Sequence, residues 1–148
     1  MTVLDADRTA ENEAVVRRFF TELVGEGDLA VAEELLTTDY VRHDPASPDV
    51  FGPDGFEAFM REVRRAFPDL TVEIHDLIAT DDRVVVRATQ RGTHDGWWGD
   101  YEPTGQHIEV DGIVIHRLDG GRIAETWAVW DTACMETQLE PSIEHGIE

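Results

Sequence analysis

The chain contains no lysine: all 12 of its basic residues are arginine, set against 32 aspartates and glutamates for a formal net charge of −20. Affinity for nucleic acid comes largely from basic side chains that displace counterions from phosphates, so a nucleic-acid partner is not expected. An anionic membrane surface is not expected on the same grounds. There is one cysteine, Cys134, which can form no internal disulfide and has no Cys or His neighbours at zinc-ligand spacing. No apolar run approaches the roughly 20 residues that cross a bilayer, and the opening stretch from Met1 to Glu13 is acidic and polar rather than basic and then apolar. The expectation is a cytoplasmic protein. No phosphate loop and no calcium-loop spacing is present, so neither a cofactor nor a metal is implied. There is also no repeat, linker or low-complexity stretch. A surface this acidic repels itself in dilute buffer and is screened in molar salt, which is the pattern of a halophilic protein.

The 148 residues fit one domain, 1–148, with flexible ends expected at 1–9 and 140–148. Between Ala10 and Val24 the residues Val15, Val16, Phe19, Phe20, Leu23 and Val24 recur at helical spacing, and Gly25 closes the segment. Asp28 is placed to cap a short second helix, Leu29 to Leu36, ended by Thr37-Thr38-Asp39. Tyr40 to Pro45 reads as a short extended piece entering a Pro-rich loop. A third helix starts at Asp54, carries Phe56, Phe59, Met60, Val63 and Phe67 on one side, and stops at Pro68.

After Pro68 the apolar period falls from 3.6 to 2, which predicts strands over Leu70 to Ala79, Val84 to Thr93, His107 to Leu118 and Arg122 to Asp131. Asp81-Asp82 and Asp119-Gly120-Gly121 read as hairpin turns, and His94 to Gln106 as a long Gly- and Trp-rich loop of the kind that covers a site. Helices followed by an antiparallel meander give an α+β class with helices on one face of the sheet.

Several fragments then carry a resemblance: Tyr40-x-x-His43-Asp44-Pro45, Gly55-Phe56-x-x-Phe59, Ala66-Phe67-Pro68-Asp69-Leu70, Gly92-Thr93-His94-x-Gly96, Pro103-Thr104-Gly105, Arg117-x-x-x-Gly121-Arg122-Ile123-x-Glu125-x-Trp127 and Asp131. In this order, over about residues 11–140, they resemble the SnoaL-like polyketide cyclases. The resemblance implies the cone-shaped α+β barrel of nuclear transport factor two and ketosteroid isomerase, with three N-terminal helices packed in a strongly curved antiparallel sheet and a pocket in the concavity. It also implies cofactor-free acid–base chemistry, an intramolecular aldol condensation on a small apolar carbonyl compound. The family's active Asp and its neighbouring His fall, by the same resemblance, at Ala128 and Val114, neither of which can move a proton.

Other residues must then be weighed. If Leu118 pairs with Arg122, then Gly112, Val114 and His116 share a face with Ala124, Thr126, Ala128 and Trp130. On that face His116 is either a general base or a half-buried side chain bonded to a strand neighbour. His43 stands either at the pocket mouth, where Asp44 beside it orients it or titrates itself, or packs structurally while Asp44 makes a turn before Pro45. His94 bonds either a ligand or its own loop. Asp131 is either a pocket acid or the cap of a C-terminal helix. Trp97 and Trp98 make either a lid over an apolar ligand or a dimer contact, and Trp130 is expected to line the pocket. Glu125 and Trp127 alternate outward, Glu125 towards Arg87 or Arg117.

Two functions compete: cyclisation or isomerisation through His116, His43 or Asp131, and non-catalytic binding of a small apolar ligand. A third, hydroxylation or epoxide opening, needs a polar cluster that places a water, and the sequence offers none. A homodimer is expected, because Ile113, Ile115, Ile123, Trp127 and Val129 would stand on the outer face of the sheet where the chain's own helices cannot cover them.

Overall fold

The structure is a computed structural model, and residues 3–140 are described. The expected flexible ends lie outside that range at 1–2 and 141–148, while residues 3–9 continue a helix, α1, over Val3–Arg18. The chain widens into a π turn at Phe19–Gly25, makes a 3₁₀ turn at Leu29–Val31 and a single α turn, α2, at Ala32–Leu35. Strands β1, Leu36–Asp44, and β2, Ser47–Phe51, precede α3, Gly52–Ala66. Then come β3, Thr71–Ala79, β4, Arg83–Thr93, β5, His107–Asp119, β6, Arg122–Trp130, and α4, Thr132–Leu139. Among the described residues no helix is long and apolar enough to cross a membrane.

The sheet is wider than the four strands the periodicity predicts: six strands lie in the order β2-β1-β6-β5-β4-β3. All neighbours are antiparallel except β1 and β6, which run parallel. The segment read as a helix end, a short extended piece and a Pro-rich loop is therefore an arm of the sheet, and Thr37 to Asp39 belong to β1. Two caps also differ from expectation. Asp28 precedes the 3₁₀ turn without a side-chain capping bond, and α3 begins at Gly52, with Pro53 in the first turn where its missing N–H costs nothing.

The core forms where the helices lie in the concavity. Val16, Leu23, Leu35, Tyr40, Val84, Val86 and Ile123 are all under 2 % exposed. Asn12, also buried, ties α1 to the β3–β4 turn by donating to the carbonyls of Thr80 and Asp81 at 3.3 and 2.9 Å.

The β5–β6 turn is tighter than the three-residue turn expected. Asp119 pairs with Arg122, and Gly120 and Gly121 take φ of 61° and 82°, the left-handed pair a two-residue turn requires. A register shift at Arg117/Leu118 follows, so His116 faces Thr126, Val114 faces Ala128 and Gly112 faces Trp130. The side chains keep the expected face although the register moves by two residues. The bulge has one further effect: Ile123, expected on the outer face, is fully buried, and so is Ala124 beside it.

Candidate functional site

Period 2 along β1 decides the site. Tyr40 and Arg42 are buried on the inner side and Asp44 joins them there, while Val41 and His43 turn outward. Between this face, α3 and α4 lies a cavity of about 260 Å³, walled by Phe19, Phe20, Phe56, Met60, Trp98 and Trp130 among others. The π turn places the consecutive Phe19 and Phe20 both inside, each 4 % exposed, because its wider turn re-aims neighbouring side chains. Val114 and Ala128, each 2 % exposed, pair directly across β5 and β6 in the wall.

The wall holds a cation, Arg42, and two carboxylates, Asp44 and Glu136. Arg42 Nη2 donates to Asp44 Oδ2 at 3.1 Å, with side chains only 8 % and 9 % exposed. Its guanidinium carbon sits 4.5 Å above the centre of the Phe59 ring, a cation–π contact. Asp44 Oδ1 accepts from Ala46 N–H at 2.8 Å, and Arg42 Nη1 is buried with no hydrogen-bond partner.

Behind Arg42 runs a second polar line. Arg42 pairs with Thr126 across β1 and β6, and Thr126 with His116 across β6 and β5, so the three lie in one row. Tyr40 O–H donates to Thr126 Oγ1 at 3.0 Å, and Thr126 Oγ1 lies 2.9 Å from His116 Nδ1. The chain is complete when Thr126 donates to Nδ1, which puts the imidazole proton on Nε2. Burial holds the Tyr40 phenol up at about 12. Burial and then the Arg42 charge push His116 down to about 3, so its ring is neutral at pH 7.

The proposed site residues separate accordingly. His116 is wholly buried against the edges of Phe19 and Phe20, at ring separations of 5.1 and 5.6 Å, behind the cavity wall; a group held near 3 is a weak base. His43 is on the other face: Nε2 is 2.7 Å from Glu125 Oε2, Nδ1 is 3.2 Å from Asp49 Oδ2, and the ring stacks on Trp127 at 5.8 Å. The hydrogen bond to the Glu125 carboxylate raises its pKa, against the lowering effect of burial. Glu125 also meets Arg117 at 3.3 Å, one of the two partners expected for it.

Asp131 is the N-cap of α4, its Oδ1 accepting from Cys134 N–H at 3.0 Å, and it stands outside the cavity lining. His94 is fully buried with Nδ1 accepting from Thr104 N–H at 3.2 Å and its ring 5.4 Å from Phe67; it pins the ends of its own loop. That loop crosses the end of α3, where Asp95 and Gly96 N–H both donate to the Ala66 carbonyl, and a Cβ at Gly96 would collide with the carbonyl of Arg65. Of the two loop tryptophans, Trp98 lines the cavity 5.9 Å from Phe67, while Trp97 points out and is 58 % exposed.

The sequence alone does not single out Arg42, and it offers Asp44 either as a support for His43 or as a titrating group of its own. The available signal is the alternation of Tyr40, Arg42 and Asp44 along the short extended piece, which has no inner or outer face until its strand partner is known. Among the described residues no group of three or more His, Cys, Asp or Glu is placed to hold a metal ion.

The sequence profile of the SnoaL-like polyketide cyclases matches residues 14–139. The chain belongs to that family. Solved structures agree. A candidate SnoaL-like polyketide cyclase from Jannaschia sp. CCS1 is 25 % identical with a TM-score of 0.84, over 96 % of this chain and 98 % of that one. IdmH, a candidate polyketide cyclase from Streptomyces antibioticus, is 29 % identical with a TM-score of 0.76, over 86 % and 97 % of the two chains. AclR, a candidate hydroxylase from Streptomyces galilaeus, is 26 % identical with a TM-score of 0.78, over 91 % and 85 %. No curated protein matches the chain. Several residues shared with the family pattern do structural work here. Asp69, for instance, accepts from Thr93 N–H and Oγ1 at 2.7 and 2.8 Å, and the backbone N–H bond foremost holds its carboxyl below the ordinary range.

Proposed function

We propose that the cavity takes a small apolar carbonyl compound and performs cofactor-free proton transfer on it, an aldol cyclisation or an isomerisation, with Asp44 as the base. The observation that carries this reading is the Arg42–Asp44 pair standing in an otherwise largely apolar wall. Asp44 supports the role that Val114 and Ala128 leave empty, since β1 lies beside β6 and brings Asp44 into the same cavity lining. In the forward step the carboxylate takes a proton from the carbon next to a carbonyl, and the C–H electron pair passes into an enolate. For cyclisation the enolate carbon bonds to a second carbonyl carbon of the same molecule, whose oxygen takes the proton back from Asp44. Proton and charge balance, and no cofactor enters.

The experiment is turnover of an enolisable apolar ketone by wild type and variants. Asp44→Asn should lose roughly 100-fold or more, the usual scale of a lost general base, while His43→Gln and Asp131→Asn keep near-wild-type rates. An unaffected Asp44→Asn enzyme overturns the assignment. A second reading, binding without chemistry, is favoured by one observation: both Asp44 oxygens already accept hydrogen bonds, from Arg42 and from Ala46. Saturable binding of apolar ketones with no turnover or proton exchange would select it.

A further inference from the structure

Arg42 is buried beyond nine-tenths, yet only one of its bonds is satisfied by a carboxylate, and Nη1 has no partner. A buried N–H without an acceptor is costly, more so on a charged group, and that cost vanishes when a ligand oxygen meets it. The side chain is held for such a contact: Asp44 fixes one edge and Phe59 supports the face. The charges around it restrict what can bind. Arg42 is one cation against the two carboxylates Asp44 and Glu136 in the lining, His116 in the next strands adds no charge, and the chain as a whole carries −20. A carboxylate brought into this wall would meet a guanidinium whose charge Asp44 already balances, at full cost of its own desolvation. A neutral carbonyl loses little on entry and gains the orphan donor.

We propose that Arg42 is the ligand's anchor, its Nη1 donating to a carbonyl oxygen, and that Asp44 fixes the ligand class as neutral by excluding carboxylates. The inference rests on the apolar-pocket reading above and adds a recognition point and a charge rule to it. Arg42 lines the cavity while its Nη1 is buried, so the contact forms with a side-chain adjustment on binding.

The test is calorimetric titration with three probes of nearly equal shape: 2-acetylnaphthalene, the hydrocarbon 2-isopropylnaphthalene, and 2-naphthoate. In wild type the ketone should bind at least about 10-fold tighter than the hydrocarbon, the scale of one hydrogen bond to a charged group, and at least about 10-fold tighter than the carboxylate. Arg42→Met should bind ketone and hydrocarbon alike while keeping the hydrocarbon affinity, and Arg42→Gln should restore part of the difference. Asp44→Asn should improve 2-naphthoate by about 10-fold, because the freed guanidinium then has a charge to offer; this arm keeps Arg42 intact and does not depend on the Arg42 variants folding. Equal binding of ketone and hydrocarbon in wild type overturns the anchor but leaves the apolar pocket standing. Carboxylate binding as tight as the ketone in wild type, or unmoved by Asp44→Asn, overturns the charge rule. No binding of any probe overturns the pocket reading and the inference together.

Discussion

The two faces of the sheet are written by alternate residues of the same strands, and they solve opposite problems. The concave face excludes water around a few polar groups, so the charge of Arg42 is balanced by Asp44 and His116 is bonded through Thr126 to Tyr40, while Arg42 Nη1 and His116 Nε2 stay without partners among the described residues. The convex face is open and carries surface pairs, Arg87 with Asp76 and Arg91 with Glu73, at side-chain exposures between 34 % and 59 %, where each is worth about 0–1 kcal/mol. Beside those pairs, on β5 and β6, it also shows Ile113, Ile115, Trp127 and Val129, 37–58 % exposed. One histidine from each face marks the contrast: His116 is held below its ordinary pKa by burial, His43 above it by Glu125.

The largest effect should come from emptying the concave side. Phe19→Ala removes a ring that touches Phe20, Phe56 and His116 at once and should cost about 3–5 kcal/mol in denaturant unfolding. Ile113→Ala on the convex face, applied to dilute protein, should cost under about 1 kcal/mol. Similar losses at both positions would mean that the two faces are not packed as described.

The next comparison is between copies. We propose that the exposed convex band is covered by a second copy of this chain, giving a homodimer, since Val129 faces Ile113, Trp127 faces Ile115, and contiguous apolar surface of this kind marks an interface. Ile123 has no part in it, being buried. Light scattering should give twice the chain mass, and Ile113→Glu with Trp127→Glu should weaken the dimer by about 100-fold. A folded wild-type monomer at micromolar concentration would sink the proposal.

How far these faces could be read from sequence follows from how local each signal is. From Pro68 to Trp130 the strand segments alternate apart from local bulges, so the four strands and the inward set of Val114, His116, Thr126 and Ala128 are legible even though the turn differs: a slip of two residues preserves the face. β1 is legible only as a short extended piece at Tyr40 to Pro45. It pairs in parallel with β6, more than 80 residues away, and nothing within its own sequence announces that partner. Without that partner Arg42 has no face, and His43 stands open between the pocket mouth and structural packing. Asp131 stays open in a related way, because an acid after a strand looks the same whether it caps or catalyses until the helix behind it is seen; here it caps.

Smaller in size is the response to acid, in which the two histidines should act with opposite sign. The folded pKa of His116, about 3, lies below the ordinary 6.5, so the unfolded chain binds its proton first and stability falls as pH drops below about 6.5. Between pH 6.5 and 5 the loss should be about 2 kcal/mol, from 1.36 kcal/mol per pKa unit. His116→Gln, which can still bond Thr126, should flatten that limb. His43 has a raised pKa: its contribution is present below the ordinary value and is lost as pH rises through the folded one, so His43→Gln should flatten stability on the alkaline side instead. The same limb flattened by both variants would contradict their placement on opposite faces.

The smallest effect, a few degrees of melting temperature, should come from salt, and it belongs to the outer surface. The excess of 32 acids over 12 arginines repels across distances of about 10 Å in 0.1 M salt but only about 3 Å in 1 M. Salt also weakens pairs such as Arg17–Glu13 and Arg87–Asp76, but these are exposed and worth little each, so screening of the repulsion decides the sign. We propose on this ground that the protein is adapted to high salt, and melting should rise between dilute buffer and molar KCl. The cavity should respond differently, because a neutral ligand at the Arg42–Asp44 pair changes no net charge. Its affinity, measured across the same series, should stay within about twofold while the melting temperature climbs. A flat or falling melting temperature would remove the halophilic reading, and a ligand affinity that tracks salt would show that the wall is less sealed from the surface charge than the packing of Phe19, Phe20 and Phe59 around it implies.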